Sequence, residues 1–353
     1  MKTSALLFAF VVAAGPAAAQ TPADSSAAPQ APQTSTSQRA ASEQPAPRPP
    51  EGKRRGSMVG YIEDSTVSSH FRVRFDAAFD GKSPDRAEFF YAKCGCYRGL
   101  ATADPPAFDP HAPGPAPAVV TGYDYRQAYL EGQYGVGNHF AVFVELPFRW
   151  FEPNSFLAGT GTVPSTSGLS DIRAGVKLAL ISTADRVVTV LVRGEFPSGD
   201  AAKGLGTDHG AIVPALLYLQ RAGDRFAIES QFGDWHPTGG SAGVPTSGSD
   251  KFAGDVLFWG IGPSFEVVST SRVRFAPVVE LVGWHVLGGF QTQIPGTAAG
   301  VAVPADGINI VNLKVGARTT IHDASSFYVG YGHKLTNVGW YDDVFRLEYR
   351  IGF

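Results

Sequence analysis

The chain has 353 residues, enough for two ordinary domains or one large barrel, and 29 Lys and Arg against 32 Asp and Glu leave a formal net charge of −3. That balance offers no basic footprint, which excludes nucleic acid as a partner. Charged residues make up only 17% while glycine numbers 41 and aromatics reach 12%, less charge than a large water-facing surface ordinarily carries.

Met1 and Lys2 precede the apolar run 5–14, followed by Gly15-Pro16 and Ala17-Ala18-Ala19. This is the pattern of a secretory signal peptide, residues 1–19, and it places the mature chain outside the cytoplasm. Residues 20–56 are mostly Pro, Ala, Ser, Thr and Gln and end on the basic cluster Lys53-Arg54-Arg55. Such a segment buries too little apolar surface to order itself and reads as a disordered periplasmic tether. It is also too polar and Pro-rich to suggest a packed plug. No later stretch reaches the ~18 consecutive apolar residues of a membrane helix. A membrane-spanning role would therefore require a closed barrel, since in lipid only helices and barrels satisfy every backbone group.

Residues 57–353 consist of strand-length runs joined by connections that alternate in length. Short ones fall at 81–85, 137–138, 183–185, 221–224, 269–271 and 322–324, and long ones at 94–120, 151–167, 197–210, 236–251, 287–306 and 334–340. This rhythm predicts an all-β fold, a transmembrane antiparallel up-and-down β-barrel of about 14 strands, with 12 as the alternative. In the fourteen-strand count the first wall strand is 58–64, containing MVGYIE, and a third is 86–93. The N-terminus is expected in the periplasm and the barrel in the outer membrane of a Gram-negative bacterium.

Strand side chains alternate between two faces. In HFAVFVELPFRW, residues 139–150, the apolar set Phe140, Val142, Val144, Leu146, Phe148 and Trp150 opposes Glu145 and Arg149. A basic side chain at the bilayer midplane costs roughly 2 to 4 kcal/mol, so charged sets belong inside. The expected lumen lining is Arg72, Arg74, Glu145, Arg149, Arg173, Lys177, Arg193, Glu195, Arg272, Arg274, Glu280, Lys314 and Arg318. These charges would either set the selectivity of a pore or pair with one another and close a narrow barrel.

Chemistry-bearing motifs are sparse. Cys94 and Cys96 suit a local disulfide in an oxidising compartment, and no metal or cofactor site is expected. There is no G-x-S-x-G elbow, and His139, His285 and His333 pair with no serine by spacing, so an enzyme is not expected; an outer-membrane hydrolase is the least favoured alternative. Gly204-Leu205-Gly206 lacks the continuation of a phosphate loop and reads as a flexible extracellular loop. The loops 151–168, with Phe156 and Leu157, and 288–304, with Phe290 and Ile294, could offer apolar surface to a solute or simply pack on themselves.

The last stretch, YDDVFRLEYRIGF, puts Phe345, Leu347, Tyr349, Ile351 and Phe353 on one face and Arg346, Glu348 and Arg350 on the other. It resembles the C-terminal recognition strand of outer-membrane barrels, which implies that these five residues signal membrane insertion through the barrel-assembly machinery. Together with Ser167-Gly168-Leu169-Ser170-Asp171-Ile172, Gly175, Lys177 and GEFPSGDAAKGLG at 194–206, the chain resembles the outer-membrane family named for the meta-pathway of phenol degradation. That resemblance implies a channel in the outer-membrane bilayer for small hydrophobic or aromatic solutes, akin to fatty-acid and aromatic-hydrocarbon channels. A general diffusion pore or a closed structural barrel is the alternative.

Overall fold

The computed structural model describes residues 55–82, 120–159, 161–238, 253–293 and 301–353, all within the compact unit Pro50–Phe353. Alternation of apolar and polar residues, turn chemistry between runs and β-branched and aromatic enrichment produce strands throughout. In chain order they are β1 (His70–Gly81), β2 (Val120–Val136), β3 (Phe140–Phe156), β4 (Thr166–Leu169), β5 (Ile172–Ser182), β6 (Arg186–Phe196), β7 (Gly210–Ala222) and β8 (Phe226–Thr238). There follow β9 (Val256–Phe265), β10 (Val268–Ser269), β11 (Val273–Val286), β12 (Phe290–Gln293), β13 (Val301–Pro304), β14 (Asn309–Ile321), β15 (Ser325–Lys334) and β16 (Asp343–Gly352).

Four of these are short: β4 and β10 extend the wall, and β12 and β13 form a separate hairpin. The remaining twelve pair antiparallel with their neighbours and close on themselves, because β1 pairs β2 on one side and β16 on the other. Arg72 thus stands opposite both Glu131 and Arg350. Closure leaves the twelve long strands of the described wall with a ladder partner on both sides. The fold is the expected all-β barrel, built with the twelve-strand wall.

Of the two extra strands in the fourteen-strand count, one lies outside the described residues and the other is settled differently. Residues 86–93, like Cys94, Cys96, the signal peptide and most of the tether, lie outside the described residues. Residues 58–64 are not a wall strand: they lie inside the barrel, where Met58, Val59 and Ile62 are all buried. The reason is that both edges of β1 are taken by β2 and β16, so no ladder position remains for this segment. Its backbone N–H groups bond instead to wall side chains.

The outward faces are apolar from strand to strand. Val142, Val144 and Leu146 on β3, Leu178 and Leu180 on β5, Leu313 and Val315 on β14 and Phe327 and Val329 on β15 are all exposed. Phe345, Leu347, Tyr349, Ile351 and Phe353 continue this surface on the last strand and just beyond it, with Phe71 and Phe353 rings 5.0 Å apart and Tyr331 and Phe345 also 5.0 Å apart. Toward the long-loop end the outward faces turn polar, with His236 against Asp255, His285 against Asn309 and His333 against Asp343. Among the described residues no helix is long and apolar enough to cross a membrane.

Candidate functional site

The interior follows from the same alternation. Each strand that shows an apolar side chain outward turns its next residue inward, and on β1, β3, β11, β14 and β16 many of those residues are charged. Of the expected lining, Arg72, Arg74, Glu145, Arg149, Lys177, Arg274, Glu280, Lys314 and Arg318 are buried inside the barrel, and Arg173, Arg193 and Glu195 are partly buried there. Arg272 is the exception. It sits in the tight turn before β11 and is exposed, because the wall ends one residue after it.

The segment 55–69 enters from the short-turn end, rises into the barrel and returns to start β1. Arg55 reaches Glu266 at 3.3 Å, and Arg221 donates to the carbonyls of Arg55 and Gly56 at 3.0 and 2.9 Å. Higher up, Glu229 accepts the Met58 N–H at 2.8 Å and Glu280 accepts three more, from Gly60, Tyr61 and Ile62, at 3.0, 2.9 and 2.8 Å. Arg318 donates to the Met58 and Val59 carbonyls and pairs with Glu348 at 2.8 Å. Arg346 holds Asp76 through two bonds of 2.6 Å and the Gly60 carbonyl through a third. On the return leg Lys177 donates to the Asp64 carbonyl at 2.9 Å, Thr189 to that of Ser65 at 2.6 Å, and Arg350 pairs with Asp64.

Shape supports these bonds. A side chain at Gly262 would press on Val59 and one at Gly260 on Ile62, so the inward glycines of β9 are the recesses into which the segment packs. Residues 57–67 therefore form a packed plug, assembled from residues just beyond the polar tether. The signal that could have found it is the continuous apolar run Met58–Ile62, broken only by Gly60, which does not alternate as a half-buried strand should.

Above the apex of the plug, Tyr61, lies an internal cavity of about 210 Å³. Its floor is Tyr61 and Glu63. Arg74, Arg149, Arg173, Arg193, Lys314 and Arg346 contribute positive charge, and Tyr125, Trp235, Trp284, Trp340 and Tyr341 supply ring surface. Arg74 lies 3.8 Å over the Tyr129 ring and pairs with Glu145 at 3.2 Å. Arg173 bridges Glu145 and Glu195 at 3.1 and 3.3 Å, and Arg193 bridges Glu195 and Glu63, both at 3.2 Å. Burial pushes the Tyr341 phenol up from its ordinary value, so it remains a neutral hydroxyl.

Among the described residues, the end of β3, the residues just after it and the loop before β16 pack over this cavity. Trp340 and Phe151 are buried, Tyr123 donates to the Trp340 carbonyl at 3.0 Å, and Phe156 and Leu157 pack against the same cluster. The Phe290 side chain and Ile294 lie outside the described residues. The loop after β6 is tied down, contrary to the flexible extracellular loop expected from its glycines. Asp171 accepts the N–H of Gly199 at 3.0 Å and both the N–H and the hydroxyl of Thr207 at 2.7 and 2.9 Å, while Leu205 is buried. These bonds join the two motif segments 167–172 and 194–206. His209, against the Trp235 ring at 5.3 Å, is held below the usual histidine range by burial.

Spacing did not reveal one histidine constellation: Ser68 Oγ is 3.3 Å from His70 Nδ1, whose Nε2 is 3.2 Å from Glu131. The first distance is long for a hydroxyl bond. Glu131 is also claimed by Arg72, so the group anchors the start of β1 within an ion-pair network.

No protein-family model and no curated protein matches the sequence. Among solved structures, the chain is similar to the COG4313 outer membrane channel from Pseudomonas putida F1, at 13% identity over 84% of this chain and 99% of that one, with a TM-score of 0.49. It is similar to the NanC porin at 9% identity over 80% and 100% of the two chains, TM-score 0.42, and to the Pseudomonas putida toluene transporter TodX at 9% over 80% and 87%, TM-score 0.39.

Proposed function

We propose that this protein is an outer-membrane channel for the passive uptake of small hydrophobic or aromatic molecules, of the kind implied by its resemblance to the phenol-degradation family. The observation that carries this reading is the inversion of polarity. The barrel exposes apolar side chains over its outer wall and buries its charges within, which suits lipid outside and solute inside. Soluble monomers rarely expose apolar patches larger than a few hundred Å².

In this reading the short turns face the periplasm and the long loops the exterior, so the tether and the plug approach from the periplasmic side. A solute gathers in the cavity beneath the aromatic loops and leaves when the plug shifts. The outward row Phe345 to Phe353 serves as the contact for the barrel-assembly machinery. The charged lumen residues line the path when the plug moves and fasten it when it does not.

The test is flux through proteoliposomes. Small monoaromatic solutes should enter faster than sugars of similar mass, and removing residues 57–66 should raise the entry of both. If neither the wild type nor the truncated protein admits any solute, the barrel is a closed structural one. If sugars enter as fast as aromatics in the wild type, it is a general diffusion pore.

A further inference from the structure

The charges around the cavity do not all serve one another. Arg74, Arg173, Arg193 and Arg346 share the carboxylates Glu63, Asp76, Glu145 and Glu195 at 2.6 to 3.3 Å. Lys314 stands outside this exchange. It is 2% exposed, and its ammonium makes one hydrogen bond, to the Tyr341 hydroxyl at 2.8 Å. Among the described residues no carboxylate comes within ion-pair distance of it. An ammonium has three donors, so two are left for a ligand.

The surroundings of Lys314 are aromatic. Its nitrogen lies 3.9 Å from the centroid of the Tyr61 ring and 5.1 Å from that of Tyr341. Beyond it Trp284 and Trp340 meet edge to face with centroids 6.3 Å apart. Rings prefer such offset or edge contacts, and a further ring gains from them beyond the area it buries. An apolar cavity of about 150 Å³ accepts benzene, and the volume here is about 210 Å³. There is space for one ring and one small charged substituent.

We infer that this cavity is a binding site for aromatic monoanions of the arenecarboxylate class, with the carboxylate on Lys314 and the ring against Trp284 and Trp340. It specifies the solute of the channel proposed above and rests on that reading only for its use in uptake. A neutral arene would gain the ring contacts alone. An aromatic amine would meet Lys314 and Arg346 as like charges.

Titration calorimetry on the purified, folded barrel in detergent tests the site with benzoate, benzyl alcohol, benzylamine and cyclohexanecarboxylate. Benzoate should bind about tenfold or more tightly than the other three, and Lys314→Met should lower benzoate affinity by about tenfold while leaving benzyl alcohol unchanged, the scale of one charge-assisted hydrogen bond. Equal binding of benzoate to wild type and Lys314→Met overturns the role of the lysine. Equal binding of benzoate and cyclohexanecarboxylate overturns the aromatic requirement. Should Lys314→Met fail to fold, quenching of wild-type tryptophan fluorescence by 4-nitrobenzoate decides: saturable quenching that benzoate displaces supports the site, and quenching no stronger than by 4-nitrobenzyl alcohol overturns it. Benzoate binding without flux in liposomes would remove the channel reading and leave the site standing. Flux of small arenes without benzoate selectivity in binding would do the reverse.

Discussion

Glu280 shows how a single lumen side chain can hold a segment. Its two carboxylate oxygens accept the N–H groups of Gly60, Tyr61 and Ile62 and the hydroxyl of Tyr328 at 3.1 Å. A segment with no ladder partner must satisfy its backbone some other way, and a buried carboxylate facing successive N–H groups does so with charge-assisted bonds. Glu280→Ala leaves four donors without their acceptor, three of them N–H groups of the plug, a cost on the order of 3 kcal/mol to plug docking. Amide exchange at residues 60–62 should accelerate, and single-channel recordings should show larger or more frequent openings. Unchanged exchange at those amides would mean that packing of Val59 and Ile62 into the β9 recesses holds the plug without the carboxylate.

At the scale of the element, β16 carries both environments in ten residues. Leu347 is exposed on the outer wall, and its neighbour Glu348 is buried against Arg318. A one-residue slip would put Arg346, Glu348 and Arg350 onto the apolar outer wall and Leu347 and Tyr349 among the lumen charges, which is why the register is strongly specified. Leu347→Arg, near the middle of the outward row, should destabilise the barrel in bilayers by roughly 2 to 4 kcal/mol, read from reversible denaturant unfolding. The same substitution should be nearly silent in a soluble sandwich, whose outer face already meets water. A null effect in bilayers would therefore count against lipid contact at this position.

For the whole molecule, the distinguishing quantity is which solvent the outer surface prefers. Cell fractionation should recover the protein with the outer membrane, released only by detergent, and the folded barrel should migrate differently from its boiled form on a denaturing gel. Recovery from the soluble periplasm without detergent would overturn the membrane assignment. Closure of β1 onto β16 makes the barrel cooperative, since no strand can leave without breaking two ladders.

Much of this architecture was legible in the amino-acid order, because it rests on local rules. Period-two alternation, turn chemistry and the rhythm of connection lengths located all twelve long wall strands, β1 among them, to within about five residues of their ends. The charged inner face was legible for the same reason: parity along a strand assigns a side, and the lipid cost assigns the side to charge. The rhythm of connection lengths misled at 58–64, where it called for one more wall strand although the apolar run Met58–Ile62 does not alternate as a half-buried strand should. Only the tertiary structure decides that case, through the pairing of β1 with β16, the recesses at Gly260 and Gly262 and the carboxylates of Glu229 and Glu280. The same holds for Lys314, one basic residue among many in the sequence. That no described carboxylate comes within ion-pair distance of it depends on which cations share which acids across the lumen, and those distances exist only once the barrel has closed.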